Sequence, residues 1–561
     1  MFKEISSARL QGDAMVRRWY KVWPHFVPKV VDVERPACEY IREWASRRPS
    51  GIALSYYGRD MTYGELNETI DRFARGLTGL GLKKGDRVAL FMQNCPQFVI
   101  SFFGIHRAGG VVVSLNPMFK QAELEYQIND AGAETLVALN DLYPEAEKIK
   151  GRTPIKRVIL TSLKDYLPTE PSLPLSNGFK DSDQEFSGTV DFLGLLDKGP
   201  KEPICDVGDL HEDAAIIQYT GGTTGLPKGA VISHYALCFA GLGDAMWQQL
   251  RYDDVTLGIT PFFHVMGLAA VLLATLVAGG RLIVLPRFVP EITAQAIEHY
   301  KCTYWVAAST MLISLLRLPD ARRFDLSSLR LLVTGGAPVS QEIQERVREL
   351  APKAFIGEGY GLSETCASGG LLTPLFGFKP GFVGTPHFCD MKVMDAGTGT
   401  KELPVLQEGE IVIKGPSMME GYWNRPEETE RVLRNGWLYT GDLGLMDEEG
   451  YFKILGRKKE LIICSGFNVY PPDVENRLYR HPAIAETAVI GIPDPYRGES
   501  PKAFVVLHES HKGKTSEEDI LLWCKENMAA YKRPSIIEFR DELPKSGAGK
   551  ILKRILEGEN I

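Results

Sequence analysis

The stretch Tyr-Thr-Gly-Gly-Thr-Thr-Gly-Leu-Pro-Lys-Gly occupies residues 219–229 and directly follows the strand-like run Ala-Ala-Ile-Ile-Gln. Its glycines let the backbone approach an anion and turn N–H groups toward it, while the threonine hydroxyls add donors. Lys228 adds a positive charge. The composition therefore predicts a polyphosphate-binding loop, with a solvent-exposed turn as the alternative. It is not a Walker A loop, because the spacing G-x-x-x-x-G-K-[ST] is absent.

Outward from this loop, short apolar runs rich in β-branched residues alternate with helical patterns. The runs lie at residues 87–92, 110–115, 281–285, 329–334 and 353–356. This alternation is typical of α/β units with largely parallel sheets. After Asp442 comes a charged stretch with a pattern typical of β-hairpins, followed by a compact segment of about a hundred residues, the size of a small domain. We therefore predict an α/β protein with a large N-terminal domain and a small α+β C-terminal domain.

Composition excludes several classes of protein. The chain has 561 residues, 44% of them hydrophobic, and 64 Lys+Arg against 71 Asp+Glu give a net charge of −7, so a sequence-wide affinity for nucleic acid or anionic membrane is not expected. The nine cysteines are far apart, which predicts free thiols and no zinc site. The longest apolar stretch, residues 267–280, is shorter than the roughly 20 residues that span a bilayer, so we expect a core helix. With no secretory or peroxisomal signal, we expect a cytoplasmic protein.

Further motifs follow the loop along the chain. They are Thr-Gly-Gly-Ala-Pro at 334–338, Glu-Gly-Tyr-Gly-Leu-Ser-Glu-Thr at 358–365, Tyr-Thr-Gly-Asp at 439–442, Gly-Arg-Lys-Lys-Glu at 456–460 and Pro-Lys-Ser-Gly-Ala-Gly-Lys-Ile at 544–551. A tyrosine ring can stack on a base, a hydroxyl can bind an oxyanion, and a carboxylate suits Mg²⁺ or vicinal ribose hydroxyls. Each motif alone also fits an ordinary tight turn or a solvated surface.

In this order the motifs resemble those of the adenylate-forming superfamily, which contains acyl-CoA synthetases, peptide-synthetase adenylation domains and beetle luciferases. The resemblance covers almost the whole chain. Gly221 stands where many members have Ser, which removes one hydroxyl donor. The resemblance implies an N-terminal domain over residues 1–457, with several subdomains built of mixed and parallel sheets flanked by helices, and a mobile C-terminal domain over residues 458–561.

The resemblance also implies the nucleotide site. Tyr360 would cover adenine, Asp442 and Arg457 would contact ribose, Thr365 would contact the α-phosphate, and Glu364 would bind Mg²⁺. The full set of residues expected around ATP is Thr220, Gly221, Gly222, Thr223, Thr224, Gly225, Gly336, Ala337, Pro338, Glu358, Gly359, Tyr360, Asp442 and Arg457.

Four residues are expected to be catalytic: Lys550, Glu364, Thr365 and Lys228. The resemblance implies that Lys550 bridges the carboxylate and the α-phosphate, while Lys228 holds the departing pyrophosphate. Lys459 falls at the position of the hinge between the two domains. Lys458 and Lys545 are interpreted as solvated surface lysines.

The acid-binding residues are expected to be His264, Trp305, Gly335 and Gly361. His264 would line the wall of the acyl pocket rather than act as a base. Trp305 could form the floor of that pocket, in which case compact acids would be preferred, or it could pack in the core facing away from ligand. Because strand residues alternate faces, both interpretations stay open.

The sequence therefore predicts an AMP-forming acyl-CoA synthetase that uses ATP, Mg²⁺ and coenzyme A. Its partners would be small molecules, with no nucleic acid and no membrane-spanning segment, and a homodimer is an assembly that the sequence allows. The alternatives are an acyl-AMP ligase that delivers to a carrier protein, a luciferase-like oxygenase, and a catalytically silent nucleotide-binding homologue.

Overall fold

A computed structural model describes residues 17–558 apart from 177–178, 180–185, 199–206, 221–225, 337–338, 340, 376 and 547–550. Its strands are β1 Ile52–Tyr56, β2 Arg59–Thr62, β3 Arg87–Phe91, β4 Val111–Ser114, β5 Thr135–Leu139, β6 Arg157–Thr161, β7 Val190–Asp191, β8 Ala214–Thr220, β9 Lys228–Ser233, β10 Val255–Gly258, β11 Arg281–Val284, β12 Tyr304–Ala308, β13 Leu331–Gly335, β14 Phe355–Tyr360, β15 Leu371–Leu372, β16 Thr385–Pro386, β17 Asp390–Met394, β18 Gly409–Lys414, β19 Gly421–Tyr422, β20 Leu433–Arg434, β21 Trp437–Met446, β22 Phe452–Arg457, β23 Ile462–Cys464, β24 Phe467–Val469, β25 Ile484–Asp494, β26 Gly498–Leu507 and β27 Ile536–Phe539. Its α-helices are α1 Ala37–Arg47, α2 Tyr63–Gly79, α3 Pro96–Arg107, α4 Gln121–Ala131, α5 Tyr143–Glu147, α6 Phe192–Lys198, α7 His234–Trp247, α8 Val265–Gly267, α9 Ala274–Val277, α10 Pro290–Tyr300, α11 Ser309–Leu316, α12 Gln341–Leu350, α13 Pro426–Val432, α14 Pro471–Leu478, α15 Glu517–Asn527 and α16 Lys553–Gly558.

Two large mixed sheets form the bulk of the protein. One has the strand order β19-β9-β8-β4-β3-β5-β6-β7, and the other has the order β16-β15-β14-β13-β12-β10-β11-β1-β2. In both sheets the central pairs are parallel and the antiparallel pairs lie toward the ends. A smaller sheet, β17-β18-β21-β20 with β22 on β21, follows them. The predicted α/β class is confirmed.

The central strands are buried on both faces, as parallel sheets covered by helices require. Every residue of β4, β12 and β13 is buried. Helix α3, also buried throughout, lies between the two sheets, because Gln97 bonds to Thr161 at the end of β6 while Phe98 packs 5.7 Å from Phe262, beyond β10. Helix α3 therefore connects the two sheets near the carboxyl ends of β6 and β10.

The apolar stretch 267–280 is confirmed as a core helix. It begins in α8, passes through a π-helical turn over Leu268–Leu273 and ends in α9. Within the described ranges, no helix combines the length and apolar character needed to cross a bilayer. The eight cysteines in these ranges are buried free thiols.

The C-terminal segment has its own sheet and core. Strands β24-β23-β26-β25, with β27 on β26, pack against α14 and α15. The change from the N-terminal sheets to this sheet falls at a short 3₁₀ turn, Lys458–Glu460, between β22 and β23. This turn contains the predicted hinge residue Lys459.

Candidate active site

The predicted polyphosphate loop connects two paired strands, β8 and β9. Thr220 pairs with Lys228 in an antiparallel ladder, so the two residues flank the loop. Gly221, Gly222, Thr223, Thr224 and Gly225 lie outside the described residues. Beyond the loop, the Tyr126 hydroxyl donates a hydrogen bond to the Pro227 carbonyl at 2.8 Å, which fixes the entry to β9.

Glu364, the predicted magnesium ligand, is held by a residue that the sequence motifs did not indicate. The Tyr422 hydroxyl donates a hydrogen bond to Glu364 Oε1 at 2.7 Å, and the Tyr422 ring lies 5.1 Å below the ammonium of Lys228. Tyr422 reaches this position because β19 pairs with β9, which places Tyr422 opposite Ala230. Burial, reinforced by the Glu364 charge, raises the pKa of Tyr422. Tyr422 thus links Lys228, beside the predicted polyphosphate loop, to Glu364.

Three residues from separate motifs meet at the end of β14. The Tyr360 hydroxyl donates to Asp442 Oδ2 at 2.6 Å, and Arg457 Nε lies 2.7 Å from Asp442 Oδ1. Asp442 and Arg457 are opposite each other on β21 and β22. The pKa of Arg457 is raised: burial acts to lower it, but the negative charge of Asp442 acts in the opposite direction. Burial raises the pKa of Tyr360 well above its usual range. The predicted adenine and ribose residues therefore form one preassembled group.

Glu358 lies on β14 close to this group. Its carboxylate accepts a hydrogen bond from Gln344 Nε2 at 2.7 Å, and its backbone N–H donates to Thr373 Oγ1 at 2.8 Å. Burial raises the pKa of Glu358 to about 7, although the Gln344 donor lowers it in part. Contact between Glu358 and a nucleotide stays a prediction.

The turn after β14 is tightly closed. Thr365 is fully buried, and its hydroxyl interacts with the backbone of Leu362 at 3.2–3.3 Å. A Cβ on Gly361 would lie only 2.1 Å from the Ala367 carbonyl oxygen, so a larger residue would force this turn apart. Gly359 lies beside Gly335 in the β13–β14 ladder. The contact of Thr365 with a phosphate stays a prediction. In this structure the Thr365 hydroxyl hydrogen-bonds to the backbone of the turn.

Gly336 follows the end of β13 with a φ of +82°, a backbone conformation that favours glycine. The turn can therefore leave the sheet sharply at this point. Ala337 and Pro338, the next two predicted nucleotide contacts, lie outside the described residues.

Of the predicted acid-binding residues, His264 and Gly335 lie close to each other. His264 caps the start of α8, where its Nδ1 accepts from the Met266 N–H at 3.3 Å. A Cβ on Gly335 would meet the Met266 sulfur at 3.0 Å, so His264 and Gly335 flank the same methionine. Trp305 has 0% exposed surface, so its indole borders no water-sized space in this structure. Among the described atoms, its Nε1 has no hydrogen-bond partner.

The two lysines interpreted as surface residues, Lys458 and Lys545, are both exposed, and each also forms an ion pair. Lys458 Nζ lies 3.1 Å from Glu410 Oε2, which ties the start of the 3₁₀ turn to β18. Lys545 pairs with Glu486 at 2.6 Å. Lys550, the predicted catalytic lysine, lies outside the described residues.

The site has the chemistry to accept Mg²⁺ with a nucleotide. Glu364 offers hard oxygen donors in an orientation fixed by Tyr422. Among the described residues there is no cluster of three or more His, Cys, Asp or Glu side chains that could enclose a metal. Mg²⁺ is commonly held by one or two carboxylates together with water and phosphate oxygens, which matches this sparse donor set.

Comparison with known proteins shows the family of the chain. The family described as AMP-binding enzyme matches residues 41–423, and the AMP-binding enzyme C-terminal domain matches residues 473–550. The long-chain-fatty-acid–CoA ligase of Bacillus subtilis (strain 168) is 40% identical over 96% of this chain and 98% of its own length.

Solved structures are similar over the same extent. The anthranilate CoA ligase AuaEII in complex with anthranoyl-AMP has a TM-score of 0.84 and 28% identity, covering 94% of this chain and 98% of that one. ATP-bound MatB from Rhodopseudomonas palustris has a TM-score of 0.81 and 30% identity, covering 93% and 99%.

Proposed function

The chain belongs to the AMP-binding enzyme family as an AMP-forming acyl-CoA ligase, and on that premise we propose that it activates a long-chain fatty acid with Mg·ATP and transfers the acyl group to coenzyme A. The observation that carries the ATP half of this proposal is the group formed by Tyr360, Asp442 and Arg457. It offers a ring for a base beside a carboxylate for ribose hydroxyls.

In the first step, a carboxylate oxygen of the acid attacks the α-phosphorus of ATP, and the bond to pyrophosphate breaks. Thr220 and Lys228, which flank the polyphosphate loop, would hold the β- and γ-phosphates. Lys550 would screen the two approaching anions. Mg²⁺, when bound at Glu364, supplies charge neutralisation of the phosphates. The product is an acyl adenylate.

In the second step, the thiol sulfur of coenzyme A attacks the acyl carbon, the bond to AMP breaks, and the thiol proton leaves to solvent. We propose that the C-terminal domain first rotates about Lys459, which withdraws Lys550 from the site. The short 3₁₀ turn that contains Lys459 is the one stretch of chain between β22 and β23, so a change of its backbone angles would move the whole C-terminal sheet.

The choice of a long-chain acid is supported by the Bacillus subtilis relative and by the position of Trp305. Because the indole of Trp305 has no exposed surface, it does not close a cavity here, and the main argument for compact acids is weakened. The second candidate is an aromatic acid, since the structurally similar AuaEII is an anthranilate CoA ligase.

Pyrophosphate release across a panel of acids tests the proposal. Hexanoate, decanoate, hexadecanoate, benzoate and anthranilate would be compared with and without coenzyme A. We expect release to rise with chain length, because each buried methylene contributes about 0.8 kcal/mol. Release with the aromatic acids alone would favour the second candidate.

The same assay separates a coenzyme A ligase from a carrier-protein ligase, an oxygenase and a silent homologue. Acyl-AMP that accumulates while coenzyme A is unconsumed would favour delivery to a carrier protein or a luciferase-like oxygenase. No pyrophosphate with any acid would favour a silent nucleotide-binding homologue. We further propose a cytoplasmic location and a homodimeric assembly, which fractionation and sedimentation would test.

A further inference from the structure

Arg317 joins the N-terminal domain to the C-terminal domain. It follows directly on α11, and its Nη2 donates a hydrogen bond to the Ala485 carbonyl at 2.9 Å. Its Nη1 lies 3.9 Å from Glu486 Oε1. Ala485 and Glu486 belong to β25 of the C-terminal sheet. The guanidinium is thus fixed across the domain boundary by one hydrogen bond and one longer ionic contact.

The same carboxylate holds the base of the loop that carries Lys550. Lys545 Nζ lies 2.6 Å from Glu486 Oε2, as an ion pair without the alignment of a hydrogen bond. Lys545 and Ile551 form an isolated antiparallel β-bridge, and the Leu552 N–H donates a hydrogen bond to the Pro544 carbonyl at 2.8 Å. The two ends of the loop are therefore paired with each other. Glu486 is only 16% exposed, so this pair is shielded more than an ordinary surface contact.

We propose that Arg317 and Glu486 are positioning residues for adenylation: they hold the base of the 545–551 loop against the N-terminal domain while the acyl adenylate forms. The Glu486 carboxylate lies between two cations, Arg317 of the N-terminal domain and Lys545 of the C-terminal domain. The inference rests on the proposed function, because it assigns the contact to one of the two half-reactions.

If the C-terminal domain rotates as proposed, this contact exists in only one of the two domain arrangements. Glu486 and Lys545 both belong to the C-terminal domain and move together when that domain rotates. Arg317 stays with α11, so rotation about Lys459 separates it from Glu486. A residue that contacts its partner in only one arrangement can change only the half-reactions that need that arrangement.

The test compares Arg317→Gln with Glu486→Gln in the full-length enzyme. Adenylation is measured as pyrophosphate release, and thiol transfer is measured from synthetic acyl-AMP and coenzyme A. We expect Arg317→Gln to slow adenylation about tenfold, the size of one hydrogen bond plus a partly exposed ion pair, and to leave thiol transfer at the wild-type rate. Glu486→Gln should slow adenylation more, because it leaves two cations facing each other.

Three further variants sharpen the result. Arg317→Lys keeps a cation and should recover part of the adenylation rate. The double variant should lose less than the product of the two single losses, because both act through one contact. Arg322→Gln is the matched control: Arg322 pairs at 2.6 Å with Glu349, inside the N-terminal domain, and its loss should change neither half-reaction.

Equal losses in both half-reactions, or no loss in either, would overturn the inference. If Glu486→Gln fails to fold, Arg317→Gln still decides the matter, because its side chain is 37% exposed and its removal leaves the core intact. Failure of the proposed function looks different: the wild-type enzyme itself would then release no pyrophosphate with any acid.

Discussion

Replacing Glu358 by Gln should make the protein more stable at alkaline pH. The Glu358 carboxyl is buried beside Gln344, and its pKa is raised from 4.5 to about 7. Between these two pH values the folded protein keeps the proton while the unfolded chain releases it. The folded state therefore binds more protons, and the free energy of unfolding falls as pH rises through this window.

The size of the effect follows from the shift. The difference of 7 − 4.5 = 2.5 pKa units corresponds to about 3 kcal/mol, at 1.36 kcal/mol for each unit. Glutamine is neutral at every pH, and its amide oxygen can accept the same hydrogen bond from Gln344. We expect Glu358→Gln to match the wild type near pH 4.5 and to exceed its free energy of unfolding by about 3 kcal/mol above pH 8.

Urea unfolding from pH 5 to 8 measures this difference. The quantity of interest is the gap between the variant and wild-type curves, since all other titrating groups cancel. Glu430→Gln, which neutralises an exposed carboxylate on α13, is the control and should follow the wild-type curve. If the wild-type and Glu358→Gln curves run parallel across the range, Glu358 is ionised in the folded protein and the reasoning is wrong.

The remaining predictions concern the reaction and the core. Lys550→Ala should impair adenylation far more than thiol transfer from synthetic acyl-AMP, and equal loss of both would contradict its role. Lys459→Pro should fix the hinge, so that stopped-flow measurement finds adenylation preserved and thiol transfer slowed; a wild-type rate of thiol transfer would exclude Lys459 as the hinge. Tyr422→Phe removes the hydroxyl that orients Glu364 and should raise the Mg²⁺ concentration needed for half-maximal pyrophosphate release about tenfold, with unchanged melting temperature as the control. Trp305→Ala should lower the free energy of unfolding by about 3–5 kcal/mol while the chain-length profile stays the same, whereas a shift to longer acids would make Trp305 the pocket floor.

The sheets could be predicted because buried parallel strands appear in the sequence as continuous apolar runs. The runs at 87–92 and 281–285 became β3 and β11 to within one residue at the carboxyl end. The change of sheet at the 3₁₀ turn also followed a visible change in composition. These features are local, so the neighbouring residues were enough to indicate them.

The contacts that complete the site are not local. Tyr422 and Glu364 are 58 residues apart, and they meet because β19, a strand of two residues with no apolar pattern, pairs with β9. Lys545 is the exposed lysine that the sequence predicts, but its ion pair with Glu486 could not be predicted because Glu486 lies 59 residues away in the sequence. For Trp305, alternation along a strand says that neighbouring residues face opposite sides, but not which side faces ligand.

The order of motifs predicted that Tyr360, Asp442 and Arg457 share one site, and the structure brings these three residues into contact. Asp442 is 4% exposed, and its two carboxylate oxygens are bound by Tyr360 and Arg457. These contacts fix the plane of the carboxylate and give each of its buried oxygens a partner. Ribose hydroxyls would therefore meet an acceptor that is already oriented, so little binding energy is spent on ordering the protein. The same pair of contacts gives the Tyr360 hydroxyl a role beyond that of an aromatic ring: phenylalanine could stack on adenine, but it would leave one oxygen of a buried carboxylate without this donor.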